Sequence, residues 1–221
     1  MPSPTPPRPS FYRWPIIILG VLLAAVLVYR LSTPPPASNQ GHNSSNELPR
    51  IGTVPTFNLT ERSGKNISNK DLAGKIWVAD FVYTTCPGPC PMITANMAKI
   101  QAATAKDPRV QLVTFTVDPQ SDTPAVLAAY ADRYAADHDK WWFLTGPEKP
   151  LYDLIQNGFF QVVQDNRGKP PEDGQFQVTH STYFVLVDGN GSVRGSFDGV
   201  GADGRADLLK SIKMLEKEET E

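Results

Sequence analysis

Apolar residues follow three different patterns along the chain. From Trp14 to Tyr29 (WPIIILGVLLAAVLVY) sixteen residues run without a charge or a polar stripe. Residues 32–50 (STPPPASNQGHNSSNELPR) carry almost no apolar side chains and read as a flexible linker. Beyond residue 50, short apolar runs of strand length alternate with stretches of helical spacing. The spacing predicts an extended start at 56–59 and a strand over Ile76–Tyr83. A helix over 91–105 follows, with Met92, Ala95, Ile100 and Ala103 facing inward, and then a strand at 110–117. Thr123 before Pro124 caps a helix to about Ala136. A strand at 141–144, holding Trp141 and Trp142 against the core, precedes a helix over 150–157 closed by Gly158. The polar stretch 159–179 is long for an ordered loop. A strand at 181–187, a turn at Asp188-Gly189-Asn190-Gly191 and a strand to Phe197 form a hairpin, and a helix over 205–218 ends the chain. Strands alternating with helices and closing in a hairpin and a helix predict an α/β sandwich around a mixed sheet.

The first pattern points to a membrane. Residues 14–31 are expected to be an uncleaved transmembrane anchor, slightly short for the ~17–25 residues such helices use, with Trp14 and Tyr29 at the interfaces. The alternatives are a cleaved signal peptide, for which Arg30-Leu31-Ser32-Thr33 and three prolines make a poor cleavage context, and a core helix, which should show a polar stripe. Arg8 and Arg13 before the segment against Arg30 after it place the Pro-rich tip, residues 1–13, in the cytoplasm. The expected organisation is therefore tip (1–13), anchor (14–31), linker (32–50) and a domain over 51–221. In a bacterium that domain would face the periplasm from the inner membrane.

Composition changes this picture little. The 221 residues carry a net charge of −2, so no basic surplus suggests a nucleic-acid partner. The chain holds only two cysteines, which excludes a disulfide-dense scaffold and any four-cysteine zinc site. Both lie in Cys86-Pro87-Gly88-Pro89-Cys90, directly after the first buried strand and directly before a helix. Ligands bind at such carboxyl edges of α/β sheets. Pro91 suits the first helical turn, so Cys90 should sit at the helix N-terminus, where the dipole lowers a thiol's pKa. Three intervening residues let both sulfurs reach one point, as a disulfide or as two thiolates on one metal. A buried, inert pair is the alternative. Soft thiolates with few ligands suit copper(I) better than zinc. Of the three histidines, His42 lies in the linker and His138 in a charged surface patch. His180 stands just before the 181–187 strand and is the candidate third ligand. Asp118, at the end of the second strand, reads as a loop or cap residue, or as one orienting a ligand.

The run Trp77–Tyr83 followed by TTCPGPCPM, then Thr116-Val117-Asp118-Pro119 with Asp122-Thr123-Pro124, then Thr179-His180-Ser181 and Asp188-Gly189-Asn190-Gly191, resembles the SCO/SenC family over roughly residues 50–216. That resemblance implies a thioredoxin-like fold on a membrane anchor. It also implies one copper ion per domain, held by Cys86, Cys90 and His180. The implied partners are the copper-site subunit of cytochrome c oxidase and a thiol reductant or upstream copper donor. The implied function is a metallochaperone in oxidase assembly, the alternative a tethered thiol-disulfide oxidoreductase using Cys86 and Cys90 as a redox dithiol. A peroxidase would need an isolated cysteine, and a plain adaptor would leave the dithiol without a use. Many family members carry acidic residues inside the CxxxC loop and before the histidine. Here Pro87-Gly88-Pro89 and Thr179 stand there, so copper(II) should be held less readily.

Overall fold

All seven residues of Ile76–Val82 (β4) and all seven of Val110–Thr116 (β5) are buried, as strands covered on both faces must be. The computed structural model describes residues 47–167 and 178–220. The tip, the anchor segment and nearly all of the linker lie outside the described residues. Among the described residues no helix is long and apolar enough to cross a membrane.

In chain order the strands are β1 (Gly52–Thr53), β2 (Asn58–Glu61), β3 (Asn66–Ser68), β4, β5, β6 (Trp141–Thr145), β7 (Val163–Asp165), β8 (Val178–His180), β9 (Tyr183–Val187) and β10 (Ser192–Asp198). The helices are α1 (Cys90–Ala103), α2 (Pro124–Asp132), α3 (Glu148–Gly158) and α4 (Ala202–Glu218). Eight strands form one sheet in the order β1-β10-β9-β4-β5-β6-β2-β3. The central β4, β5 and β6 run parallel, while β9 joins β4 antiparallel and β10 continues the hairpin. The expected mixed sheet is thus present, with its parallel part at the centre, where α1 connects β4 to β5. On one side of β4, Trp77 and Phe81 meet Phe159 at ring-centroid distances of 5.7 and 5.3 Å, and Phe115 of β5 completes the cluster. Trp141 is fully buried, its Nε1–H donating to Thr114 Oγ1 at 2.8 Å. Trp142 packs partly buried under Lys75.

Four expectations about elements need correction. The buried stripe of α1 is Cys90, Ile93, Met97 and Ile100. Met92 is 53% exposed and Ala103 also faces solvent, because the helix starts at Cys90 and the inward stripe runs from that residue at steps of three and four. Helix α2 stops at Asp132 rather than Ala136, and Ala135 takes a positive φ of 50°. Gly158 is the last residue of α3, not its cap, and a Cβ there would press on Pro55 Cδ at 2.7 Å. Close packing, not a left-handed turn, requires it. Finally, β9 begins at Tyr183, and the flanks of the long polar stretch are strands: β7 and β8 pair antiparallel as a separate two-stranded sheet, with Val163 opposite His180.

Candidate metal and dithiol site

The chain leaves β4 at Val82 and reaches α1 through the Pro-Gly loop, at the carboxyl end of the parallel strands. Buried Asp122 anchors the start of this loop. Its carboxylate accepts the Thr84 N–H at 3.2 Å, the Thr84 hydroxyl at 2.6 Å and the hydroxyl of Thr116. The other end of the loop is fixed from inside the helix. Thr94 Oγ1 donates to the Cys90 carbonyl at 2.9 Å. Its single proton is thereby used, so the Tyr130 hydroxyl, 2.8 Å away, must donate to it. Asn96 Nδ2 donates to the Gly199 and Val200 carbonyls, both at 2.9 Å, and ties α1 to the turn before α4.

Cys86 is 8% exposed and Cys90 wholly buried, both as free thiols. The Gly88 N–H donates to Cys86 Sγ at 3.4 Å. His180 Nε2 lies 3.2 Å from Cys90 Sγ, and His180 Nδ1 lies 2.9 Å from the Ser181 carbonyl oxygen. A carbonyl can only accept, so the ring proton sits on Nδ1 and the Nε2 lone pair faces the sulfurs. Tyr83 closes the site with its ring edge-on to His180 at 5.8 Å. The ligand atoms of Cys86, Cys90 and His180 all lie within 4.8 Å of one another. Two soft sulfurs and one correctly oriented imidazole nitrogen are a donor set that suits copper(I), and the residues present fit that ion.

The two thiols titrate very differently. The Cys90 thiol hydrogen-bonds to Cys86 and, with the Cys90 and Gly88 amides, stabilises a Cys86 thiolate, bringing its pKa to about 4. Cys90 donates that bond and is fully buried, so its own pKa is pushed up. This reverses the expectation from the helix N-terminus: burial and pairing outweigh the dipole, and Cys86 rather than Cys90 carries the charge. Burial and the adjacent Cys86 push the Tyr83 phenol up as well.

Of the other sequence candidates, His138 is exposed and not part of the Cys86–Cys90–His180 cluster, and His42 lies outside the described residues. The Asp118 carbonyl accepts the Ser121 and Asp122 amides and its Oδ1 pairs with Arg167 Nη1 at 2.8 Å, a loop role. Sequence reading missed Asp80. It is fully buried on β4, and its two carboxylate oxygens lack a hydrogen-bond partner among the described residues. Burial raises its pKa to about 7, with Thr114 opposite it and His180 nearby pulling the other way. Only its position inside an otherwise apolar strand could have drawn notice.

A mixed α/β sheet presenting a close dithiol and a histidine at the end of its parallel strands defines a dithiol protein whose site could hold a soft metal ion. Residues 46–215 match the SCO1/SenC family, and the chain belongs to it. The SCO1 protein homolog of Bacillus subtilis (strain 168) is 34% identical over 162 residues, 72% of this chain and 81% of that protein. The structure of BsSco, described as a member of the Sco family of cytochrome c oxidase assembly proteins with a disulfide switch, superposes with a TM-score of 0.65. It is 31% identical and covers 76% of this chain and 97% of its own. ScoI of Bradyrhizobium japonicum, solved with copper bound, gives a TM-score of 0.59 at 26% identity, covering 72% of this chain and 98% of its own. The fold is the thioredoxin-like α/β fold of these Sco structures.

Proposed function

We propose that this protein binds one copper(I) ion through Cys86, Cys90 and His180 and delivers it to the copper-site subunit of a cytochrome c oxidase during assembly. The observation that carries the reading is the convergence of two sulfurs and Nε2 within 4.8 Å. The copper-bound state of Bradyrhizobium ScoI and the assembly role stated for BsSco support it. Copper here is cargo. Cys86 is already a thiolate at neutral pH, so metal uptake displaces one further proton, from Cys90. The Ser181 carbonyl keeps the imidazole in the tautomer that leaves Nε2 available. Residues 14–31 tether the domain to the inner membrane with the N-terminus inside and residues 51–221 in the periplasm, reached by the linker 32–50.

A second reading rests on the unequal thiols. A Cys86 thiolate beside a protonated Cys90 is the arrangement that attacks a disulfide and then resolves it, so the same pair would reduce cysteines of the oxidase copper site. Competition titration of the reduced full chain with copper(I) and a chelator separates the two. Tight binding of one ion, weakened by both Cys86→Ser and His180→Ala, supports the carrier. Weak binding indifferent to His180→Ala overturns it and leaves the reductase.

A further inference from the structure

His180 is not carried by the main sheet. It ends β8, which among the described residues pairs only with β7. Two bonds fix the neck of this hairpin: the Ser181 N–H donates to the Val162 carbonyl at 3.0 Å and the Val162 N–H to the Ser181 side-chain Oγ at 2.9 Å. They set where the hairpin leaves the core, not how it is tilted over the dithiol. Its far end is held by Arg167, two residues beyond β7. Arg167 Nε and Nη2 grip the two oxygens of Asp165 at 2.9 Å each. Nη1 reaches Asp118 Oδ1 at 2.8 Å and Gln120 Oε1 at 3.2 Å, both in the loop after β5. Nη2 also meets Glu148 Oε2 at 3.1 Å, at the start of α3. One planar guanidinium therefore joins the hairpin to two rigid parts of the core, a geometry that lysine's single ammonium cannot reproduce. The Asp118 side chain is only 5% exposed and that of Arg167 25%, so breaking the pair leaves a nearly buried carboxylate without its counter-charge.

We infer that Arg167 is the positioning residue of the site: its clamp between Asp165 on the hairpin and Asp118 and Glu148 on the core sets the reach of His180 Nε2 to Cys86 and Cys90. The metal arm of the test rests on the proposed copper site, whereas a second arm does not.

In the first arm, copper(I) affinity of the reduced full chain is measured by chelator competition for the native protein, Arg167→Ala, Arg167→Lys, His180→Ala and the His180→Ala/Arg167→Ala pair. Arg167→Ala should lower affinity about tenfold, the low end of what loss of a ligand-orienting partner costs. Arg167→Lys should fall between it and the native protein. In the His180→Ala background Arg167→Ala should change affinity less than about twofold, since no ligand remains to be positioned. An equal loss with and without His180 overturns the inference and makes Arg167 a general structural residue. In the second arm, imidazole NMR signals are recorded for the metal-free reduced protein. The His180 ring signals should shift or broaden in Arg167→Ala while those of His138 stay fixed. Unchanged His180 signals overturn the inference too. Should His180→Ala leave copper affinity untouched, the copper-ligand reading fails, and the NMR arm still decides the role of Arg167. If Arg167→Ala does not fold, Arg167→Lys carries both arms.

Discussion

Replacing Asp80 with asparagine removes the one buried carboxylate that has no hydrogen-bond partner among the described residues while keeping its shape. Desolvation lifts its pKa from 3.8 to about 7 in the folded protein, so the native state keeps a proton that the unfolded chain has lost. The folded state therefore binds more protons between these values, and stability must fall as pH rises. The contribution is complete below pH ~3.8, declines up to about 7 and is constant above. At about 1.36 kcal/mol per pH unit the whole interval is worth about 4 kcal/mol, and the part between pH 5 and pH 8 about 2–3 kcal/mol. The asparagine variant would have a fixed cost for its buried amide but no such slope. Urea unfolding of the reduced protein at pH 5, 6, 7 and 8 measures this, with the native and Asp80→Asn chains compared at each pH. The variant should gain on the native protein by about 2–3 kcal/mol from pH 5 to pH 8. Cys86, Cys90 and His180 are present in both chains, so their own titration largely cancels in the difference. Parallel curves across that range would refute the argument, since they would mean that Asp80 titrates alike in the folded and unfolded states.

Three further outcomes follow from the packing and charge of the site. At pH 6 the Cys86 thiolate, with its pKa near 4, should be alkylated by iodoacetamide well before Cys90, as read by peptide mass spectrometry; below pH 4 its reaction should slow as the thiolate is lost. Asp122→Ala leaves the Thr84 amide and two threonine hydroxyls without their acceptor and should cost about 2–4 kcal/mol in urea unfolding, with faster amide exchange at Thr84. Ile100→Ala empties a fully buried position on α1 and should cost about 2–5 kcal/mol, without changing the alkylation order of the two cysteines.

The central strands and the dithiol were legible because each carries a dense local signal. Ile76–Val82 is apolar throughout except for Asp80, and a Cys-Pro-Gly-Pro-Cys run between strand and helix has little other use. The β7–β8 hairpin was not legible: Val163-Gln164-Asp165 and Val178-Thr179-His180 are three residues each, too short for any periodicity to show. His180 stands out in the sequence and does lie beside the two sulfurs, yet the arginine that holds its hairpin does not stand out. Arg167 gains meaning only from Asp118 and Glu148, 49 and 19 residues away in sequence. The order of thiol titration was misread for a related reason. Proximity to a helix N-terminus can be read from Pro91, but the depth of burial of Cys90 depends on helix packing that no local pattern records.

The two halves of the dithiol are mounted on supports of unequal stiffness. Cys90 opens a helix braced by Thr94, Tyr130 and Asn96, whereas Cys86 sits in a Pro-Gly turn held by side chains as far as Thr84 and beyond it by a long bond from the Cys86 N–H to the Tyr83 carbonyl, 3.3 Å. A change of sulfur–sulfur distance would therefore be taken up by the turn rather than by the helix. Cys90 is the fixed jaw of the pair and Cys86 the hinged one, and since Cys86 is the more exposed of the two sulfurs, a group approaching from solvent would meet the hinged side first.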